Sequence, residues 1–211
     1  MGNKRNYQTE LEQLIQKLCG EKKRLFLHCC CAPCSSYVLE YLHSYFDITI
    51  FFYNPNITEE EEYQKRKKEL QRYLQQVSFG HEIHVQDADY EPQRFLEMAQ
   101  GHEHDPERGE RCKRCFRLRL EKTAEKAKQG AYDYFCTTLS ISPHKNAELL
   151  MQLGEELGSQ YGVAYLPSDF KKKNGYKRSI ELSKEYQLYR QDYCGCVYSA
   201  AARASVSTLG S

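Results

Sequence analysis

The sequence lacks three features that would each define a class of protein. Its 30 basic and 29 acidic residues leave a formal net charge of +1, so no global basic field attracts nucleic acid. No run approaches the ~18 consecutive apolar residues that a transmembrane helix needs. The polar stretch "MGNKRNYQTELEQLIQKLCG" has a helical pattern but no signal-peptide core. We therefore expect a cytoplasmic protein with no membrane partner, whose nucleic-acid contacts would come from local clusters of cations.

Cysteine, by contrast, is abundant, with ten residues in the chain. In a reducing compartment such thiols bind metal or carry out redox chemistry more often than they form a disulfide framework. Four lie in "LHCCCAPCS" (27–35), two in "RCKRC" (111–115) and two in "CGC" (194–196). Cys19 and Cys136 stand alone, and a structural role is expected for such single thiols. The three groups are therefore the candidate chemical centres.

The pattern of apolar residues predicts an alternation of strands and helices. Strands are predicted at 24–28, 47–56, 81–87, 132–139 and 163–167, and helices at 35–45, 58–77, 92–100, 111–128, 143–160 and 179–189. Thr58, followed three residues later by Glu61, predicts a capping box. This alternation is typical of a parallel, layered α/β sheet, in which ligands bind beyond the carboxyl ends of the strands.

The first cysteine group permits three interpretations. A thioredoxin-like thiol oxidoreductase would use Cys31 and Cys34 as a C-x-P-C pair between a strand and a helix. Structural zinc would use Cys31, Cys34, Cys112 and Cys115, although the two pairs lie far apart for a zinc ribbon. An iron–sulfur cluster commonly takes four thiolates from distant segments. The residues by themselves leave all three open.

The other two groups have features of their own. The helix beginning near Cys112 carries cations that would favour thiolates or an anionic cofactor, namely Arg111, Lys113, Arg114, Arg117 and Arg119. Cys194 and Cys196 can close a small disulfide ring, and Gly195 permits the bend that this ring needs. Small rings are strained and easily reduced, which favours a redox role for this pair.

Together these motifs resemble those of the QueH-type epoxyqueuosine reductases. The matching stretches are "LHCCCAPCS" (27–35), "YNPNI" (53–57), "RCKRCFRLRL" (111–120), "TTLSISPHK" (137–145) and "SDFKKKNGYKRSIELSKEYQLYRQDYCGC" (168–196). They follow the order of the family and cover most of residues 24–198. The last block is long and very specific, whereas C-A-P-C alone would not be.

The resemblance implies an activity and a set of site residues. Enzymes of this family reduce the epoxide of epoxyqueuosine to the cyclopentene of queuosine at the wobble position of tRNA anticodons, using a 4Fe–4S cluster and no cobalamin. By resemblance, the cluster ligands are Cys30, Cys31, Cys112 and Cys115. Cys194 and Cys196 match the redox-active disulfide, which an external electron donor would reopen.

Some assignments within the resemblance depend on local details. Because three cysteines are consecutive, Cys29 and Cys30 could replace Cys30 and Cys31 as ligands, but alignment on Ala32-Pro33 favours Cys30 and Cys31. Cys34 is close enough in sequence to bind an additional iron beside the cluster or to remain a spectator.

The expected fold is a parallel Rossmann-like sheet of the adenine nucleotide alpha-hydrolase-like type, with the metal-cluster site at the carboxyl ends of its strands. Residues 1–23 would form an N-terminal helical extension, 24–198 the catalytic α/β domain and 199–211 a weakly specified tail. The alternatives in function are a zinc-stabilised RNA-binding module and a thioredoxin-like oxidoreductase.

Two further roles have candidates in the sequence. A proton donor for the departing oxygen could be His28, Asp169, Tyr176 or Tyr193, each close to a motif. The segment "KKKNGYKR" (171–178) has five cations around a tyrosine, so it could contact RNA phosphates and stack on an unpaired base.

Overall fold

A single parallel sheet organises the protein. The computed structural model describes residues 5–207, with side chains up to residue 204. The strands are β1 (Lys23–His28), β2 (Phe46–Phe51), β3 (His84–Gln86), β4 (Tyr134–Thr137) and β5 (Ala164–Tyr165). They lie in the order β3-β2-β1-β4-β5, and every neighbouring pair is parallel. The predicted α/β fold with a parallel sheet is confirmed.

Helices connect the strands and cover the sheet. They are α1 (Tyr7–Lys17), α2 (Ala32–Leu42), α3 (Glu60–Gln76), α4 (Pro92–Ala99), α5 (Glu110–Gln129), α6 (Ala147–Tyr161), α7 (Gly175–Glu185) and α8 (Val197–Ser207). Within residues 5–207, no helix is both long enough and apolar enough to cross a lipid bilayer.

The core lies around the central strand β1. Leu25, Phe26 and Leu27 of this strand are completely buried, because helices cover both faces of a parallel sheet. Leu11 of α1 is also completely buried in the same core. The N-terminal helix therefore contributes to the same hydrophobic core.

Several predicted boundaries differ from the observed ones by three to five residues, and two local predictions next to the C-x-C segment were wrong. The helix predicted from Thr58 begins at Glu60, after an N-cap residue, Glu59, whose side chain makes no capping hydrogen bond. The Thr58 amide instead donates to the carbonyl of Gly195 at 3.2 Å. The segment predicted as a weakly specified tail forms α8 as far as Ser207, and the remaining four residues lie outside the described part.

The sheet topology places several strand ends at one edge. β1 lies between β2 and β4, and the chain order reverses between β1 and β4. The carboxyl ends of β1, β2 and β4 lead directly into Cys29, Phe52 and Thr138. A crevice forms at such a reversal because the connections leave in opposite directions. The first cysteine group therefore begins at this crevice.

Candidate metal and redox site

Three cysteines converge at the turn from β1 into α2. The Sγ atoms of Cys30, Cys31 and Cys34 all lie within 4.8 Å of one another, which is close enough to bind a common metal. The Sγ atoms of Cys30 and Cys31 are 3.8 Å apart. Cys31 is the N-cap of α2 and Cys34 lies in its first turn. The positive end of the helix dipole therefore faces these sulfurs and favours thiolates.

Cys29 is separated from this group. Its side chain is completely buried in the hydrophobic core, and its amide donates to the carbonyl of Phe51 at 3.0 Å. Desolvation raises the pKa of its thiol. The strand ladder therefore continues through Cys29 and turns at Cys30, which supports the alignment on Ala32-Pro33.

One thiolate is favoured within the group of three. Hydrogen bonds from the thiols of Cys31 and Cys34, together with the charge of Arg119, hold the pKa of Cys30 well below its usual range. The pKa of Cys34 is raised, chiefly because its thiol donates to Cys30 and Cys31. The hydroxyl of Thr138, beyond β4, lies 3.5 Å from the Cys30 sulfur. The local field thus stabilises negative charge on sulfur.

Arg119 is the cation behind this group. Its side chain is 1% exposed, and its Nη2 donates to Oδ1 of Asn54 at 2.5 Å. Within the described part of the chain, no carboxylate forms an ion pair with it. A buried cation without a counter-charge is costly, because burial removes its hydration without replacing it. Arg119 therefore provides a site for negative charge beside Cys30.

The second cysteine pair lies in the first two turns of α5. Cys115 is buried, which raises the pKa of its thiol to about 12, whereas Cys112 is partly buried and accepts from the amide of Arg108 at 3.3 Å. Asp105 holds the start of this helix by accepting from the amide of Arg111 at 2.8 Å. These two sulfurs are not part of the group within 4.8 Å around Cys30.

The third group lies on a loop that other side chains hold in place. Nδ2 of Asn56 and Nη1 of Arg66 both donate to the carbonyl of Cys194, at 3.2 and 3.1 Å. Cys196 precedes α8, and its sulfur accepts from the amide of Ser199 at 3.4 Å. Burial raises the pKa of Cys196 to about 11. Each of the three cysteine groups thus lies at the start of a helix.

Two cavities bring the three groups together. The first, of about 360 Å³, is lined by Cys30, Cys34 and Cys194. The second, of about 250 Å³, is lined by the pair on α5 together with Cys194 and Cys196. Cys194 lines both cavities. The C-x-C loop therefore lies between the first group and the second.

Lys145 also lines both cavities. Burial by itself would lower the pKa of its ammonium group, but the sulfurs of Cys194, Cys30 and Cys34 outweigh that effect and raise it. Its Nζ lies 5.8 Å from the centre of the Phe116 ring. Lys145 is a second cation that faces the sulfurs, and its place in "SPHK" was the one signal in the sequence that could have indicated it.

The four candidate proton donors occupy different environments. Tyr176 and Tyr193 line the first cavity. His28 is completely buried, and its pKa is lowered to about 3, mainly by desolvation and next by Arg119. Asp169 is paired with Lys171 and lines another cavity. The two tyrosines are therefore better placed than His28 and Asp169.

The cation-rich segment 171–178 is less available than its sequence indicates. Lys171 pairs with Asp169, Lys173 with Glu12, and Arg178 with Glu40. Lys172 and Lys177 are exposed. A contact with RNA here would depend on these two or on exchange of the existing partners.

The chain is similar to known proteins over most of its length. The family model for "Epoxyqueuosine reductase QueH" matches residues 25–202. A protein of that name from Streptococcus pyogenes serotype M1 is 44% identical over 199 residues, covering 92% of this chain and 78% of the relative. One from Staphylococcus epidermidis is 44% identical over 201 residues, covering 92% and 84%. One from Thermotoga maritima is 34% identical over 182 residues, covering 85% and 91%. The chain belongs to the epoxyqueuosine reductase QueH family of oxidoreductases.

Proposed function

We propose that this protein reduces epoxyqueuosine to queuosine at the wobble position of a tRNA anticodon, using a 4Fe–4S cluster and the dithiol of Cys194 and Cys196. The observation that carries the proposal is the position of Cys194, which lines both cavities and so adjoins both other cysteine groups. The names of the family and of the relatives support the same reaction.

The residues at the site fit an anionic cluster. Cys30, Cys31, Cys112 and Cys115 would hold it, and Cys34 offers a further sulfur within 4.8 Å of the first two for an additional iron. Four thiolates make such a cluster negatively charged, and the buried guanidinium of Arg119, which pairs with no carboxylate among the described residues, supplies a counter-charge. When bound, an iron–sulfur cluster supplies electrons one at a time.

The C-x-C dithiol can supply the electrons and protons that the reduction consumes. Removal of the epoxide oxygen as water, with formation of the alkene, consumes two electrons and two protons. Oxidation of Cys194 and Cys196 to a disulfide breaks two S–H bonds, forms one S–S bond and releases two electrons and two protons. An external dithiol then reduces the disulfide by thiol–disulfide exchange. One turnover thus corresponds to one cycle of this pair.

Two tyrosines could donate the proton that the departing oxygen requires. Tyr176 and Tyr193 line the first cavity. Burial raises the pKa of Tyr193, so its hydroxyl keeps its proton at neutral pH. Arg190 and Lys145 line the same cavity and would favour entry of a nucleotide with its phosphate.

The topology supports a Rossmann-like sheet of the adenine nucleotide alpha-hydrolase-like type. Its order, β3-β2-β1-β4-β5, has its reversal between β1 and β4. The group around Cys30 lies at the carboxyl end of β1, where such sheets bind ligands. The flipped nucleotide of an anticodon loop would enter this crevice at low cost, because its bases are already unpaired.

The proposal is tested by purifying the protein without oxygen and measuring its visible spectrum together with iron, sulfide and zinc. A brown protein with about four irons and four sulfides per chain is expected, and it should reduce epoxyqueuosine in tRNA when a dithiol is supplied. Iron beyond four would indicate the additional metal.

Two other outcomes would contradict the proposal. A colourless protein with one zinc and no reductase activity would indicate a zinc-stabilised RNA-binding module. A protein that stays metal-free after anaerobic reconstitution with iron and sulfide, and whose thiol exchange needs only Cys31 and Cys34, would indicate a thioredoxin-like oxidoreductase.

A further inference from the structure

One serine makes hydrogen bonds to both cysteines of the C-x-C pair. Ser199, in the first turn of α8, is 5% exposed. Its amide donates to the sulfur of Cys196 at 3.4 Å, and its Oγ accepts from the amide of Cys194 at 3.2 Å. Its hydroxyl donates to Oε1 of Glu107 at 2.6 Å. Because a hydroxyl has a single proton, the bond to Glu107 leaves Oγ to act as the acceptor for Cys194. Glu107 therefore orients Ser199, and Ser199 contacts both cysteines.

The contact with Ser199 places the Cys196 sulfur at the start of a helix. Cys196 directly precedes α8, and its carbonyl accepts from the amide of Ala200 at 3.0 Å. Its sulfur accepts from the third amide of the helix, which is the bond that an N-cap side chain makes. Burial raises the pKa of this thiol, but the Ser199 amide and Arg111 act against that rise. A thiolate released at Cys196 would thus meet an amide and the positive end of the helix dipole.

Cys194 lies in a different environment from Cys196. Cys194 is partly exposed and lines both cavities, whereas Cys196 is 8% exposed and, of these two cavities, lines only the second. Thiol–disulfide exchange needs access for a thiolate at one sulfur and a stabilised leaving thiolate at the other. Access favours attack at Cys194, and the contact with α8 favours the departure of Cys196. The two cysteines are therefore suited to opposite roles.

We propose that Glu107 and Ser199 are positioning residues that give the C-x-C pair unequal roles, with Cys194 as the sulfur that the reductant attacks and Cys196 as the leaving sulfur. This inference rests on the proposed function, because it takes Cys194 and Cys196 to form the disulfide. It adds a direction to the exchange that restores the dithiol.

The exchange proceeds in two steps. A thiolate of the external dithiol bonds to the Cys194 sulfur as the S–S bond breaks, and Cys196 leaves as a thiolate that then takes up a proton. The second thiolate of the reductant attacks its own sulfur in the mixed disulfide and displaces Cys194, which also takes up a proton. The reductant becomes a disulfide, and the two protons that it loses equal the two that the cysteines gain.

The test identifies the attacked sulfur in the unaltered chain. The cluster-loaded protein, oxidised with a stoichiometric amount of diamide, is treated briefly with glutathione, a monothiol whose first product is the mixed disulfide. Rapid alkylation of the freed thiol and tandem mass spectrometry of the peptide that contains residues 194–196 then show which sulfur carries glutathione. We expect an excess of about ten-fold or more on Cys194. Equal labelling, or an excess on Cys196, would overturn the inference.

Variants assign the preference to the two positioning residues. Ser199→Ala keeps the amide but removes the hydroxyl that holds Cys194, and it should reduce the excess on Cys194 several-fold. Ser199→Thr retains a hydroxyl and should restore the excess. Glu107→Gln retains an acceptor and should change the excess little, whereas Glu107→Ala should reduce it. Ser183→Ala is the matched control, because Ser183 is a buried serine of α7 that lines neither cavity.

The variants can also contradict the inference. If Ser199→Ala and Glu107→Ala both retain the cluster spectrum and the full excess on Cys194, exposure alone decides which sulfur is attacked, and the two residues are not positioning residues.

The same samples separate this inference from the proposed function. A disulfide between Cys194 and Cys196 that acquires glutathione on Cys196 would contradict only the assigned roles. If no such disulfide forms, or if Cys194→Ser sustains multiple turnover, the redox role in the proposed function is wrong and this inference fails with it.

Discussion

The two thiol-bearing sides of the first cavity are held in different ways. Cys30 follows directly from β1, whose backbone pairs with strands on both sides, and Cys31 caps α2. Cys194, in contrast, lies on a loop whose carbonyl is held by the side chains of Asn56 and Arg66. The first side is part of the rigid sheet, and the second depends on a few removable contacts. The proposed cofactor ligands Cys30 and Cys31 thus lie on rigid elements, whereas the proposed redox pair lies where local movement is possible.

The largest effect is expected from removing one thiol of the C-x-C pair. Cys194→Ser should leave the cluster spectrum intact and limit the product to at most about one equivalent per enzyme, because no disulfide can form. Cys19→Ser, at an exposed position outside both cavities, is the control. Retention of both the cluster and multiple turnover in Cys194→Ser would exclude the redox role.

The next largest effect should come from removing the buried cation beside the Cys30 group. Arg119→Met removes the buried cation, and one charge a few ångströms away contributes up to about 4 kcal/mol at an effective dielectric constant near 20. The reduction potential of the cluster should therefore fall by tens of millivolts or more, since ~59 mV corresponds to ~1.4 kcal/mol for one electron. Redox titration of the cluster spectrum measures this shift.

Two further variants make the Arg119 experiment specific. Arg119→Lys retains the charge and should restore most of the potential. Arg117→Met removes an exposed cation, paired with Glu156, from the same helix and should leave the potential close to that of the unmodified protein. Equal potentials in Arg119→Met and Arg117→Met would show that the buried cation does not act on the cluster.

A smaller effect is expected from strain in the redox loop. Gly195 has φ +108°, and an added Cβ would lie 2.9 Å from Cγ1 of Ile57 and 3.1 Å from Nη1 of Arg66. Gly195→Ala should loosen the loop, and alkylation of Cys194 should accelerate several-fold. Gly101→Ala is a matched control, because Gly101 has φ +77° but open space around it. If both variants leave the alkylation rate unchanged, the loop does not depend on this close packing.

The smallest effect concerns the contact between Glu69 and Tyr189, in the segment that precedes the C-x-C loop. Glu69 accepts from Arg72 at 2.6 Å and from the amide of Tyr189 at 2.7 Å, and the bond from Arg72 is the main reason why the pKa of Glu69 is lowered. The stability that Glu69 contributes is therefore present above its unfolded pKa and is lost as pH falls through its lower folded value. The pair is partly exposed, so this contribution is about 1 kcal/mol or less.

Thermal unfolding at several pH values measures this contribution. Glu69→Gln should lower Tm by up to ~2–4 °C at pH 7, with the difference disappearing in acid as Glu69 itself becomes protonated. Glu181→Gln, at a more exposed carboxylate, should shift Tm less. A difference that persists at the acid end would mean that Glu69 stabilises the protein independently of its charge.

The accuracy of prediction differed between the elements and the site for a physical reason. Buried strands such as β1 are recognisable because parallel strands covered on both faces are continuously apolar. The start of α3 was misplaced because a contact between Thr58 and Gly195, distant in sequence, decides where the helix begins. Local patterns contain no information about such contacts.

The site residues show the same distinction between features visible in local sequence and features visible only in the structure. The cysteine groups were visible in the sequence, and their assignment as ligands and redox pair stays a prediction. Asn56 and Gln191 lie within motifs that carry the resemblance, whereas Arg66 lies outside them and was not indicated as functional, because an arginine in a charged helix is common on protein surfaces. Each of the three buries a polar atom that has no hydrogen-bond partner among the described residues, which becomes evident only once burial is known.

By itself, the sequence determined the α/β class, the three cysteine groups and the family, because each is written in local periodicity or in short contiguous motifs. Only the tertiary structure decided that Arg119 is buried with no carboxylate partner among residues 5–207 and that Cys194 lines both cavities. Strand order and helix packing bring these residues together from distant parts of the chain. Their burial removes water, so each unpaired charge or polar atom costs free energy unless a partner or ligand compensates for the lost hydration.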